Sequence, residues 1–130
     1  MKAFDSLGRY APYMLAILRI TTALTFISHG TQKLLGFPVP PSWGMPAAMS
    51  LPWIAGVLEL VGGALVLIGF LTRPVAFILS GLMACAYWMA HGSKGFYPLL
   101  NGGEAAYLFC FIFLYIVFAG PGAFAVDKKI

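Results

Sequence analysis

The sequence predicts an all-α integral membrane protein, a four-transmembrane-helix bundle with both termini in the cytoplasm. Three observations support this fold class. Hydrophobic residues make up 61% of the chain and charged residues only 9%, which is far from the balance of soluble globular proteins. The hydrophobic residues are gathered into four runs, separated by segments rich in proline and glycine. Basic residues near the ends of these runs are divided unequally between the two sides.

The runs predict helices at approximately 11–33, 53–71, 74–91 and 104–119 within a single domain, residues 1–130. The second run is apolar all round, and its helical length matches a hydrocarbon core of about 30 Å. Residues 34–52 contain five prolines and cannot continue a helix. Because unpaired backbone is not tolerated in lipid, we expect that loop at the membrane interface or over the mouth of the bundle. The fourth helix is short, about 24 Å.

The orientation follows from the basic residues near the helix ends. An N-terminus in the cytoplasm places five of them on the cytoplasmic side (Lys2, Arg9, Arg73, Lys128 and Lys129) and two outside (Lys33 and Lys94). The excess of lysine and arginine marks the cytoplasmic side of a bacterial membrane protein. Both termini are therefore predicted to be inside.

Two charges fall within the predicted membrane spans. By helical rise, Arg19 lies about 12 Å and Glu59 about 18 Å from the cytoplasmic end, so long side chains could meet. Burying either charge alone is costly, and pairing relieves the cost. The favoured interpretation is a buried ion pair of Arg19 with Glu59; direct handling of a substrate or proton is the alternative.

The polar residues His29, Lys33, His91 and Glu104 are predicted to gather at the outer end of the bundle, and they are the candidate ligand-binding residues. A histidine there could hydrogen-bond a quinone carbonyl and relay a proton. The structural alternatives are that both histidines complement the dipole at helix C-termini and that Glu104 complements the dipole at a helix N-terminus. Two histidines without a short fixed spacing are weak evidence for metal, so no metal site is predicted.

Cys85 and Cys110 lie at similar depths, each about 9 Å below the outer surface by helical rise. A redox-active pair is therefore geometrically conceivable, although a free cysteine acting as a small hydrophobe is commoner.

The net charge of +4 comes from scattered groups and not from a basic patch. Nucleic-acid binding is thus not supported.

Several motifs together resemble the DoxX family. These are RI followed by HGTQKL in the first helix, the pattern W.AG.LEL.GG.L...G..TR across the second, then NGGE and finally GPG. The resemblance implies a four-helix protein of the bacterial inner membrane. Some relatives, of the DoxD type, are subunits of a thiosulfate:quinone oxidoreductase. It therefore implies location and fold more directly than activity.

Two classes of function remain open at this stage. In the first, the protein is a redox-associated, quinone-linked membrane subunit with a polar site at the periplasmic end of the bundle, where a small amphipathic ligand or quinone would bind beside partner subunits. In the second, it is a non-enzymatic module for binding, transport or assembly in the lipid bilayer, and its buried charges are structural.

The orientation can be tested directly. A reporter that is active only in the periplasm, fused after Ile130, should give no signal, because the excess of basic residues retains that end in the cytoplasm. The same reporter inserted in the loop 34–52 should be active and serves as the control. A strong signal from the C-terminal fusion would overturn the predicted topology.

Overall fold

The computed structural model describes residues 2–127, and within that range it consists of helices and turns, with no strand. The four long helices are α1 (Ala11–Leu35), α2 (Leu51–Ile68), α3 (Thr72–Ala90) and α4 (Glu104–Ala119). Shorter helical segments lie at Lys2–Asp5, Ser6–Tyr10, Gly92–Lys94 and Pro98–Asn101. Lys128 and Lys129, which enter the orientation argument, lie outside the described residues.

Length and composition suit three of these helical stretches to crossing a membrane: Lys2–Leu35, Leu51–Ile68 and Thr72–Lys94. Helix α4 is apolar but shorter. The ends of the helices follow local chemistry. Ser50 caps the start of α2 by accepting a hydrogen bond from Trp53 N, and Pro52 lies in the first turn. Helix α2 ends three residues earlier than the predicted 71, because Gly69 takes the left-handed conformation (φ +70°) that closes the helix.

The helices pack as two hairpins, α1 against α2 and α3 against α4, and contacts between the hairpins are sparser. At the crossing of α1 and α2, a Cβ added to Gly30 would lie 2.8 Å from the backbone nitrogen of Leu60. Small residues at such crossings allow the backbones of membrane helices to approach closely. Between the hairpins the core is aromatic: the Phe26 ring meets Phe113 at 4.9 Å and Phe109 at 5.3 Å.

Residues 120–127, the C-terminal strap, fold back across the end of the bundle where α1 begins. Val126 N donates to Ile68 O at 3.0 Å, and Asp127 N donates to Gly69 O at 2.8 Å. The Asp127 carboxylate in turn accepts from the amides of Leu71 (2.8 Å) and Thr72 (2.9 Å) at the start of α3. Desolvation alone would raise the pKa of Asp127, but these hydrogen bonds and the Arg19 charge hold that pKa below its ordinary value.

The close crossing of α1 and α2 at Gly30 can be tested with a matched control. Replacing Gly30 with alanine should lower stability in detergent by about 1–3 kcal/mol, because the new methyl group meets backbone that cannot yield. Gly81 of α3 has open space where its Cβ would be. Gly81→Ala should therefore be neutral or stabilising by up to about 1 kcal/mol, from helix propensity alone.

Thermal unfolding of both purified variants checks the pair. Equal melting temperatures for Gly30→Ala and Gly81→Ala would contradict the close crossing of α1 and α2.

Candidate functional site

Glu59 is buried in the bundle and pairs with Lys33. The Lys33 Nζ lies 2.5 Å from Glu59 Oε1, and the two side chains are 21% and 2% exposed. The close approach of α1 and α2 allows this, since a Cβ added to Gly56 would lie 3.0 Å from the Lys33 Cβ. The second carboxylate oxygen, Oε2, is buried without a hydrogen-bond partner in the described chain. The pair lies near the end of the bundle that is opposite the strap.

The predicted ion pair of Arg19 with Glu59 is wrong: the structure gives each residue a different partner. Arg19 is fully buried, as expected of an interior charge. Its guanidinium donates to the carbonyl oxygens of Pro121, Ala123 (3.0 Å) and Phe124 (2.8 Å) in the strap. Helical side chains lean toward the N-terminus of their own helix. Because α1 and α2 are antiparallel, Arg19 and Glu59 lean away from each other, whereas Lys33 leans toward Glu59.

His29 does not lie in the same enclosure as the ion pair. It lines a lateral groove of about 300 Å³ between α1 and α4, with three threonines on its own helix. The facing wall is apolar, and the His29 ring meets Phe109 edge-on at 5.7 Å. Within residues 2–127 the ring nitrogens make no hydrogen bond. The groove is lined by Thr21, Thr22, Thr25, His29, Ala105, Leu108, Phe109 and Ile112.

His91 belongs to a separate network in the loop before α4. Its Nδ1 lies 3.3 Å from the carbonyl oxygen of Asn101. The buried Asn101 amide donates to Tyr87 OH (2.9 Å) and Gly95 O (3.1 Å), while its Oδ1 accepts from Gly103 N (2.8 Å). Every polar group of the Asn101 side chain is therefore satisfied, and the network orders the loop.

The four candidate ligand residues thus lie in four different surroundings. Lys33 is paired with Glu59, His29 lies in the groove one helical turn away, and His91 contacts the Asn101 loop. Glu104 starts α4, as the sequence indicates, and its side chain is exposed. The structure brings His29 and Lys33 near each other on one helix, but His91 and Glu104 are not part of the groove.

The cysteines also have separate surroundings. Both are free; Cys85 is exposed, whereas Cys110 is half-buried with its Sγ 3.6 Å from Ser80 Oγ. The conceivable Cys85–Cys110 pair is therefore not formed. In the part of the chain that the structure describes, no group of three or more His, Cys, Asp and Glu side chains is placed to hold a metal ion.

Sequence reasoning missed two parts of this arrangement. The groove's apolar wall on α4 had no local signal, because a stripe such as Ala105, Leu108 and Ile112 is typical of any membrane helix. Asp127 could have been found as a carboxylate near the end of the chain, but its partners at Leu71 and Thr72 are distant in sequence. Its role depends on the path of the strap.

The comparisons with known proteins agree with this membrane architecture. The family model described as DoxX matches residues 14–92. An uncharacterized protein of Haemophilus influenzae is 48% identical, with 96% of both chains covered. The inner membrane protein YphA of Escherichia coli is 30% identical, over 99% of this chain and 98% of its own. CatD of Bacillus subtilis, whose given name proposes an oxidoreductase, is 28% identical over 85% and 82%. No solved structure matches significantly.

The observed ion pair can be tested by a double-mutant cycle. Lys33→Met or Glu59→Gln alone should lower the free energy of unfolding by about 3 kcal/mol. This is near the lower limit of the cost of breaking a buried ion pair, because Lys33 is partly exposed. The double variant should lose at least about 1 kcal/mol less than the sum of the two.

Glu59→Gln combined with Arg19→Leu is the matched control, and here the losses should add, because the two residues have different partners. Thermal unfolding in detergent measures both cycles. Additive losses for Lys33 and Glu59, with coupling between Arg19 and Glu59, would reverse the assignment.

Proposed function

Since the chain belongs to the DoxX family and is a protein of the bacterial inner membrane, we propose that it is a redox-associated membrane subunit that binds a quinone headgroup. The proposed binding site is the lateral groove between α1 and α4. One observation carries the proposal: the polar ring of His29, which makes no hydrogen bond within residues 2–127, faces an apolar wall of α4. The name of the relative CatD supports redox chemistry only in general terms.

The shape and composition of the groove suit an amphipathic ligand. Its volume of about 300 Å³ is at the lower limit of the pockets that hold small molecules and cofactors. One wall offers hydroxyls and an imidazole, and the other offers aliphatic and aromatic surface. His29 lies six residues before the end of α1, so the groove starts about 9 Å below the helix end. A ligand at that depth would enter sideways from the lipid, which is how a molecule with an apolar tail can arrive.

The groove residues can bind both the oxidised and the reduced headgroup. The His29 ring can donate a hydrogen bond to a carbonyl oxygen of a quinone. Thr21 donates its hydroxyl hydrogen to Ile17 O at 2.7 Å and Thr25 donates to Thr21 O at 3.0 Å. Their oxygens therefore keep lone pairs that can accept hydrogen bonds from quinol hydroxyls. The quinone would supply electron transfer, while the chain would bind, orient and exclude water.

The predicted orientation adds a location to this proposal. With both termini in the cytoplasm, His29 and the ion pair lie in the outer half of the membrane, and the groove opens toward the periplasmic leaflet. Lys33, one turn farther along α1, is half-buried and engaged by Glu59. We propose that this charge pair sets the position of the His29 turn and does not itself contact the ligand.

A second candidate function is a non-enzymatic module for binding, transport or assembly. A specific observation favours it, because the intramembrane charges have structural partners. Arg19 holds the strap through its carbonyl oxygens, and Lys33 holds Glu59 across α1 and α2. In this alternative the groove is filled by ordinary lipid tails.

Binding of a fluorescent quinone analogue to the purified full-length protein distinguishes the quinone-binding subunit from the non-enzymatic module. His29→Ala should weaken binding about tenfold or more, which corresponds to the loss of one hydrogen bond of about 1.4 kcal/mol. His29→Gln retains a donor and should recover part of the affinity. Ala105→Phe fills the groove without changing a polar group and should also weaken binding.

His91→Ala is the matched control, because its ring contacts the Asn101 loop outside the groove. It should bind the analogue as the parent does. Unchanged binding by His29→Ala and Ala105→Phe would favour the non-enzymatic module. Equal weakening by His29→Ala and His91→Ala would indicate instead that the ligand binds at the outer end of the bundle, as the sequence alone predicts.

A further inference from the structure

A second, larger cavity of about 740 Å³ lies at the opposite end of the molecule from the ion pair. It is bounded by the first turns of α1, the start of α3, the end of α4 and the strap. Most of its wall is apolar, and its position at the helix ends corresponds to the depth of lipid headgroups. Its wall includes Pro12, Leu15, Arg73, Ala119 and Asp127.

Arg73 supplies the positive charge of this cavity. Its Nη1 donates to two carbonyl oxygens in the last turn of α4, Val117 O at 2.9 Å and Phe118 O at 2.8 Å. Its Nη2 lies 3.0 Å from where a Gly120 Cβ would be, so the absence of a side chain there leaves room for the guanidinium. Arg73 is exposed, and within residues 2–127 no carboxylate forms an ion pair with it. Donors on Nη2 and Nε therefore remain for a ligand.

Asp127 also lines the cavity, but its charge is already engaged. Its two oxygens accept the amides of Leu71 and Thr72, and the buried Arg19 lies close enough to interact with it electrostatically. Arg9, two residues before the cavity wall begins at Ala11, adds another basic group on the same side of the bundle. Among the described residues at this end, the basic groups Lys2, Arg9, Arg19 and Arg73 outnumber the acidic groups Asp5 and Asp127.

We propose that this cavity binds one phospholipid with an anionic headgroup. The lipid phosphate lies on Arg73, and an acyl chain follows the apolar wall formed by Pro12, Leu15 and Ala119. A planar guanidinium presents paired donors that match phosphate oxygens. The predicted orientation places the cavity in the cytoplasmic leaflet, whose anionic lipids attract basic groups near helix ends. This site is separate from the groove beside His29 and does not depend on the proposed quinone.

Such a lipid would connect elements that have few other contacts. The cavity is formed by α1 on one side and by α3 and α4 on the other, so a bound lipid would join the two hairpins. A ligand that binds only the folded protein raises its stability in proportion to the logarithm of its concentration over Kd. Lipid binding is therefore measurable as a shift in melting temperature.

The test uses the full-length protein in an uncharged detergent, titrated with phosphatidylglycerol or with phosphatidylcholine of the same acyl chains. Each variant is compared with its own lipid-free melting temperature. Phosphatidylglycerol should raise the melting temperature of the parent more than phosphatidylcholine does. Arg73→Gln should reduce the apparent affinity for phosphatidylglycerol at least tenfold, whereas Lys94→Gln, an exposed lysine at the other end, should not change it.

Ala119→Trp fills the cavity while leaving Arg73 in place, and it should reduce the affinity similarly even if Arg73→Gln fails to fold. Inorganic phosphate should produce no comparable shift; if it reproduces the effect, the site binds a soluble anion and the lipid assignment is overturned. Equal shifts from the two lipids, or an unchanged response in Ala119→Trp, would also overturn the proposal.

Discussion

The burial of Arg19 is the constraint on which the end of the bundle where α1 begins depends. A guanidinium without partners inside an apolar bundle is very costly, and carbonyl oxygens of the strap provide those partners. To bring them within reach, the chain must turn back after α4, which the Gly120-Pro121-Gly122 segment allows. The returning chain then places Asp127 at the start of α3, where its carboxylate accepts two amide hydrogens. The burial of Arg19 thus accounts for the path of residues 120–127. It also accounts for the position of Asp127, which caps the start of α3.

The second buried charge is neutralised independently, at the other end. Lys33 and Glu59 meet because α1 and α2 are antiparallel and their side chains lean in opposite senses along the bundle. Depth alone pairs Arg19 with Glu59 only if both side chains can reach in either direction along the bundle. Including the lean of each side chain would have selected Lys33, so the information was present in the sequence. The consequence is a protein with two separate polar centres instead of one.

Local chemistry made the helices predictable. Continuous hydrophobic runs, prolines in first turns and glycines at ends place Ala11–Leu35 and Glu104–Ala119 within a few residues of the predicted ranges. The site was less predictable, because it depends on which helix faces meet. The sequence predicts that both His29 and His91 lie near helix C-termini, yet one ring enters a groove and the other contacts the Asn101 loop. Nothing local to either histidine distinguishes the two cases; the partners Phe109 and Asn101 come from other parts of the chain.

The positions of both cavities follow from how the hairpins are packed. Within the α1–α2 hairpin, Gly30 and Gly56 lack the side chains that would separate the backbones, so the two helices pack closely. Between the hairpins the contacts are sparser and include large rings such as Phe26 and Phe113. The groove beside His29 and the cavity beside Arg73 both lie along this boundary, and each includes residues of α1 facing α4. The deepest charges have partners inside the bundle, whereas His29 and Arg73 lie at this boundary, where a ligand entering from the lipid would meet them.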